Sequence, residues 1–113
     1  MKYQWYLVRL NNGQFVKARG YDIGYGLCYI YKIFLEVEVL NNYSITDIET
    51  GLSVLKSHKS RADMDESCKK RWHCSLDDIL FNTDFLNAVN NVRKTDTYKL
   101  RKQEYKTARK KLL

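Results

Sequence analysis

Histidine and cysteine side chains are the residues of this chain whose types are suited to binding zinc. Four of them fall in one stretch, namely His58, Cys68, His73 and Cys74. Zinc sites usually take their ligands in pairs separated by about two to four residues. No Cys-x-x-Cys pair occurs here, and the adjacent side chains of His73 and Cys74 diverge in most backbone conformations. We therefore predict no metal site, and expect two buried thiols beside Trp72 and a surface histidine.

Catalytic chemistry finds equally little support in the sequence. Cys74 could act as a nucleophile with His73 or His58 as its base, but no strained elbow and no third orienting group accompanies them. Asp77 and Asp78, with Asp84, could hold Mg²⁺ for phosphoryl transfer. Neighbouring side chains on a helix point about 100° apart, however, and acids in a first turn are typical partners of the helix dipole. The sequence therefore predicts a protein that is not an enzyme and needs no cofactor.

A glycine-containing segment, 19–26, is the next candidate for binding chemistry. Its Gly-x-x-x-Gly-x-Gly spacing is not the dinucleotide fingerprint, and it lies between predicted strands, where no helix N-terminus can hold a phosphate. We interpret the segment as a flexible connection that lets two strands meet. A second possibility is an exposed contact loop formed by Arg19, Tyr21 and Tyr25.

The strongest functional signal is the distribution of charge. The last twenty-one residues contain nine basic and two acidic side chains, so they carry the whole net charge of +7, and the preceding ninety-two residues are neutral. A neutral body with a basic end is suited to a polyanion or to an acidic protein surface. The predicted phosphate-contacting residues are Arg93, Lys94, Lys99, Arg101, Lys102, Lys106, Arg109, Lys110 and Lys111.

Two tyrosines of the same segment, Tyr98 and Tyr105, could stack on bases. The competing interpretation is a solvated surface helix whose tyrosine stripe docks on the sheet and whose basic residues complement the helix dipole. Membrane adsorption is disfavoured because the apolar stripe is narrow and lacks Trp and Phe.

The electrostatic surface of the folded chain would separate these interpretations. Nucleic-acid binding gains support if the helix aligns with basic residues of the sheet, the candidates being Arg9, Lys17, Arg19 and Lys32. It loses support if acidic residues lie against the helix and use its charge internally, the candidates being Glu36, Glu38 and Asp47.

The first half of the chain must form the platform for these residues. Aromatic and β-branched residues alternate with polar ones there, which predicts an antiparallel meander of four to five strands. Tyr3, Trp5 and Tyr6 occupy both faces of the first strand, so one face could remain an exposed aromatic patch, as in a binding sheet or a dimer edge. The predicted strands are 2–10, 14–19, 29–40, 43–48 and 52–56, with turns at 11–13, 41–42 and 49–51.

The second half is predicted to be helical. Ser60 with Asp63, and Ser75 with Asp78, have the spacing of helix-capping boxes. The helix after Ser75 is apolar around most of its axis, so we expect it to be the most buried one, with a break near 82–84. A last helix, capped within 95–97, is expected to reach about residue 112. Strands followed by two to three helices predict an α+β fold. The predicted single domain, 1–113, comprises a meander (1–57), a helical layer (58–93) and a basic C-terminal helix (94–113).

These observations favour a small, non-catalytic nucleic-acid-binding module with weak sequence specificity. The alternative is a protein-binding effector encoded by a phage or mobile element, such as an anti-CRISPR-type inhibitor that occludes the surface of a host defence nuclease. A homodimer formed through an edge strand is a third possibility. An odd, low cysteine count and the lack of a long apolar run predict a cytoplasmic protein without a membrane partner.

Overall fold

The computed structural model describes residues 3–113 and confirms the predicted α+β fold with its N-terminal meander. Five antiparallel strands form one sheet in the order β1-β2-β3-β4-β5. The strands are β1 (Gln4–Arg9), β2 (Phe15–Gly24), β3 (Leu27–Phe34), β4 (Val39–Asp47) and β5 (Ser53–His58). Helices α1 (Arg61–Trp72), α2 (Thr83–Arg93) and α3 (Asp96–Leu112) follow, with a 3-10 segment (Leu76–Phe81) between α1 and α2. Residue 2, the predicted start of the first strand, lies outside the described residues.

The glycine-containing segment is part of the sheet, so its interpretation as a flexible connection is wrong. Strand β2 continues to Gly24, and Tyr25 and Gly26 alone form the turn to β3. Both turn residues have positive φ, 58° and 72°, the pair of conformations that two-residue hairpin turns require. Gly20 lies inside β2 at a register shift. A Cβ atom there would overlap the carbonyl oxygen of Tyr29, so the close approach of two strands explains this glycine.

The predicted long strand 29–40 is also wrong, because it is two strands joined by a turn. The turn spans 35–38 and is closed by a 2.8 Å hydrogen bond from the Leu35 amide to the Glu38 carbonyl. The predicted turn at 41–42 instead lies within β4, where Asn41 pairs with Lys32. The alternation of apolar residues continues through the turn, so the pattern does not show where β3 ends. The register shift between Ile30 and Lys32 also changes which residues share a face within β3.

The sheet has two faces with different partners. The outer face carries the main core, in which α1, the 3-10 segment and α2 cover Leu27, Tyr29 and Ile45. The inner face carries a second cluster that includes Tyr6, Ala18 and Ile30 and consists of strand and turn residues. The sheet therefore buries its inner face by curling on itself, as strongly twisted sheets with bulges do.

Helix starts follow the predicted caps in two of three cases. The Ser60 hydroxyl accepts the Asp63 amide at the start of α1, and the Thr95 hydroxyl accepts the Tyr98 amide at the start of α3. Ser75 instead donates to the Asp78 carboxylate and opens the 3-10 segment. The predicted break near 82–84 is present, because Asn82 ends that segment and caps α2 through the Phe85 amide at 2.8 Å.

Candidate nucleic-acid interface

Helix α3 lies across the seam where the curled sheet nearly closes. The Arg9 amide of β1 donates a 2.8 Å hydrogen bond to the Gly51 carbonyl in the turn between β4 and β5. At this seam α3 contacts both sides, through Tyr98 on Asp47 of β4 and through Tyr105 on Phe15 of β2. The C-terminal helix therefore helps to hold the sheet in its curled form.

This position corrects the prediction that the two tyrosines of α3 stack on bases. Tyr98 and Tyr105 are 8% and 5% exposed, so neither offers a ring face to a ligand. Burial raises the pKa of Tyr98, and the Asp47 carboxylate adds to the increase. Burial likewise raises the pKa of Tyr105, against an opposing effect of the Leu7 amide. The stripe docks on the sheet because its spacing of seven residues keeps both rings on one side of the helix.

Three of the nine predicted phosphate-contacting residues lie at hydrogen-bond distance from a carboxylate of the protein. Arg93 donates to Asp47 through Nε and Nη2, at 3.2 and 3.0 Å. Lys102 lies 2.9 Å from Glu49, and Arg101 lies 3.0 Å from Glu104. Asp47 is one of the acidic residues whose contact with the basic segment counts against nucleic-acid binding. It contacts that segment at Arg93 and Tyr98.

Glu104 attaches α3 to strand β1, on the other side of the helix from the Lys102–Glu49 ion pair. Its carboxylate accepts from Arg9 of β1 as well as from Arg101. The Arg9 guanidinium is the main reason that the pKa of Glu104 lies below its usual range. Because Arg9 is committed to this ion pair, it does not continue the cationic surface of α3.

The remaining six predicted contacts of the basic segment are exposed. Lys99, Lys106 and Lys110 are spaced by seven and four residues, which places them on one flank of the helix. Lys99 has a carboxylate neighbour, Asp96 at 3.9 Å. Within residues 3–113, no carboxylate lies in ion-pair distance of the others, which are Lys94, Lys106, Arg109, Lys110 and Lys111.

A second exposed surface lies on the outer face of β1–β4, between α3 and the 3-10 segment. Its residues form two rows across the strands, since paired residues of a sheet share a face. The first row is Trp5–Arg19–Lys32–Asn41 and the second is Lys17–Phe34–Val39. Leu7 of β1, which pairs with Lys17, is buried and does not belong to this surface. We call these seven residues the open rows, of which Arg19, Lys32 and Phe34 are half-buried and the other four are exposed. The exposed aromatic patch predicted for the first strand corresponds to this face, on which Trp5 is 46% exposed, whereas Tyr6 is buried on the inner face.

The proposed contact loop of Arg19, Tyr21 and Tyr25 does not exist as one unit. Arg19 lies in the open rows, with its guanidinium 4.9 Å from the centre of the Trp5 ring. Tyr21 stacks on Tyr29 at 5.2 Å and is half-buried. Tyr25 is exposed at the tip of the hairpin turn. The structure thus brings Arg19 together with Lys17 and places Tyr25 apart from it at the turn. The alternation in 15–19 already placed Arg19 and Lys17 on one face, but their neighbours Lys32 and Phe34 depend on a register that the sequence does not reveal.

Groups that could support metal or nucleophilic chemistry are dispersed. Among residues 3–113, no three His, Cys, Asp or Glu side chains are grouped closely enough to hold a metal ion. Cys28 and Cys68 are buried, and burial raises their pKa values to about 12 and about 11. Cys74 is half-buried. The second predicted buried thiol beside Trp72 is therefore only partly covered.

Comparisons of the chain with protein-family models, with curated proteins and with solved structures find no match. None of the helices within residues 3–113 has the length and apolar character needed to span a bilayer. The fold and surfaces define the class only as a small α+β protein with a curled five-stranded sheet and two separate cationic surfaces.

Proposed function

We propose that this protein is a non-catalytic nucleic-acid-binding module whose exposed α3 cations contact the phosphate backbone. The observation that carries the proposal is the flank of Lys106 and Lys110, which is exposed and has no carboxylate partner within the described chain. Arg109 and Lys111 are also exposed at the end of the helix, about 100° to either side of Lys110. Lysines and arginines that are not neutralised internally release counterions from a nucleic acid on binding, which supplies affinity without sequence readout.

The docking of α3 strengthens the proposal by fixing these cations in space. Tyr98, Tyr105 and Glu104 hold one side of the helix on the sheet, so the lysine flank is presented by a rigid element and not by a free tail. Charges held on a rigid rod pay less conformational entropy on binding than charges on a flexible segment. Arg93, Arg101 and Lys102 are left out of the proposed interface because each has an internal carboxylate partner.

The test is the salt dependence of binding to a fluorescently labelled DNA duplex and single strand, measured by anisotropy. The double variant Lys106→Ala/Lys110→Ala should bind more weakly. Its slope of log affinity against log salt concentration should fall by about 1.4–1.8, the contribution of two phosphate contacts. Point substitutions are used because deleting α3 would expose Leu7, which is 1% exposed and lies on the strand that α3 covers.

The matched control is Lys59→Ala/Lys70→Ala, which removes the same charge from exposed positions outside α3. It should leave the slope unchanged. If the two double variants lower the slope equally, binding is non-specific charge attraction and the proposed α3 interface is wrong. No salt-dependent binding by the wild type, together with a protein partner that survives nuclease treatment in a pull-down, would replace it with the protein-binding effector.

A further inference from the structure

We propose that the open rows on the outer face of β1–β4 bind single-stranded nucleic acid by stacking bases on aromatic rings. The proposal rests on the nucleic-acid-binding function and adds the class of substrate and a second contact surface. It is carried by the sheet register and by exposure, and not by the charge of α3.

The rows combine flat rings and cations at adjacent positions. Trp5 and Phe34 lie edge to face with ring centres 4.9 Å apart, so their side chains meet over the intervening strand β2. Arg19 and Lys32 follow Trp5 in the first row, and Lys17 pairs with Phe34 in the second. Alternating stacking platforms and cations are the features with which sheets hold single strands without reading their sequence.

The tyrosines next to the rows extend the aromatic surface toward the helical layer. Tyr3 is 60% exposed and packs edge to face on Tyr31, with ring centres 5.4 Å apart. It also contacts Tyr21 at 5.9 Å. These contacts give the exposed rings fixed neighbours, so a base that stacks on them meets a preorganised surface.

The charges around the rows complement a phosphate backbone. Lys17, Arg19 and Lys32 are the charged members of the rows, and all are positive. The nearest acids along β3 and β4 are Glu36 and Glu38, in the turn at the far end of the second row. These two carboxylates repel phosphate groups at that end of the surface. We therefore expect a nucleic-acid strand to run across the sheet along the rows and not toward the turn.

The rings favour a single strand over a duplex for a geometric reason. Bases inside a duplex are stacked on each other, so they cannot place a face on Trp5 or Phe34, whereas an unpaired base can. The sheet is also covered on both sides of the rows, by α3 at Phe15 and by the 3-10 segment near Tyr21. This leaves a narrow uncovered surface across four β-strands, which suits a flexible single strand of nucleic acid better than a duplex.

The experiment measures binding of wild type and Trp5→Ala to a labelled oligothymidylate of about twelve nucleotides and to a labelled duplex hairpin. Loss of one stacking platform should weaken oligothymidylate binding about tenfold or more and leave hairpin binding nearly unchanged. Phe81→Ala is the matched control, because Phe81 is an exposed aromatic outside the rows and its loss should change neither affinity.

A second measurement covers the case in which Trp5→Ala does not fold, as judged by circular dichroism. In Trp72→Phe, Trp5 is the remaining tryptophan, and oligothymidylate should quench its fluorescence while the hairpin should not. Trp5→Phe, which keeps a ring, should retain most of the single-strand affinity.

The outcomes separate the two proposals. Suppose that the wild type binds both the hairpin and the single strand. The stacking surface is then refuted, and the α3 interface stands, if Trp5→Ala binds both probes as the wild type does. The same conclusion follows if the single strand does not quench Trp5 emission. If the wild type binds neither probe at low salt, both proposals fail. If an acidic protein partner, and not a nucleic acid, protects Trp5 from quenching by acrylamide, the rows are a protein interface.

Discussion

The hydroxyl of Tyr98 donates a 2.9 Å hydrogen bond to the carboxylate of Asp47 and so joins the first turn of α3 to the end of β4. Asp47 is 3% exposed, and it also accepts from Arg93 and from the Thr50 hydroxyl, the latter at 2.7 Å. A buried carboxylate is tolerated when its oxygens are paired in this way. The basic end of the chain is therefore a structural element as well as a charged surface.

Replacing Tyr98 by Phe should lower the free energy of unfolding by about 1.5–3 kcal/mol, because it removes a hydrogen bond to a charged group while keeping the ring in place. Urea denaturation followed by circular dichroism measures the change. Tyr25→Phe is the control, since that side chain is exposed at a turn and should change stability by less than about 0.5 kcal/mol. Equal losses in both variants would contradict the role assigned to Tyr98.

The ion pair of Glu104 with Arg9 makes the attachment of α3 sensitive to acid. The folded-state pKa of Glu104 lies below its ordinary value, so its contribution to stability is fully present above the unfolded-state pKa. It is lost as the pH falls through the folded-state pKa. The stability difference between wild type and Glu104→Gln should therefore be largest near neutral pH and should shrink as the pH falls below the unfolded-state pKa of about 4.3.

Urea titrations across that pH range measure this difference. Glu66→Gln is a suitable control, because Glu66 is exposed on α1 and is not part of an ion pair within residues 3–113. It removes the same charge without breaking a contact of α3, so at neutral pH it should cost less stability than Glu104→Gln. A difference for Glu104→Gln that stays flat with pH would show that the ion pair does not stabilise the docked helix.

How far the fold could be predicted depended on the range of the interactions involved. The turn at 11–13, the Ser60 cap and the Thr95 cap are set by residues a few positions apart. The sequence predicted the first two and narrowed the third to residues 95–97. The boundary at 35–38 was missed because strand pairing, and not local alternation, decides where β3 ends. Pairing is a long-range property that a single strand's pattern does not contain.

In the candidate site, too, local features could be predicted from the sequence and long-range contacts could not. The basic residues of α3 were predicted from composition, but the engagement of Arg93 by Asp47 links residues forty-six positions apart and could not be read from spacing. The row Trp5–Arg19–Lys32 likewise joins three strands through a register with a shift on either side of β3. An alternating pattern tells which residues share a face of one strand, but not which residue of the next strand stands beside them.

The two glycines of β2 should respond very differently to alanine. Gly20→Ala should cost at least about 3 kcal/mol, because its Cβ would overlap the Tyr29 carbonyl and backbone cannot move aside as side chains do. Gly24 has a φ of +93° with open space around the Cβ position, so Gly24→Ala should cost only the conformational strain, about 1–2 kcal/mol. Thermal or urea unfolding compares them, and equal costs would mean that β2 and β3 are less closely apposed at Gly20.

The three cysteines should differ in reactivity toward iodoacetamide. Cys28 and Cys68 are fully buried, and their raised pKa values of about 12 and about 11 keep them as thiols near pH 8, where alkylation needs the thiolate. Cys74 is half-buried, and its Sγ lies 3.5 Å from the Asn82 amide nitrogen. Mass spectrometry should therefore find one modified cysteine in the native protein and three after denaturation. Cys74→Ser should abolish the native modification, whereas rapid native labelling of Cys28 would mean that the curled sheet opens and exposes its inner face.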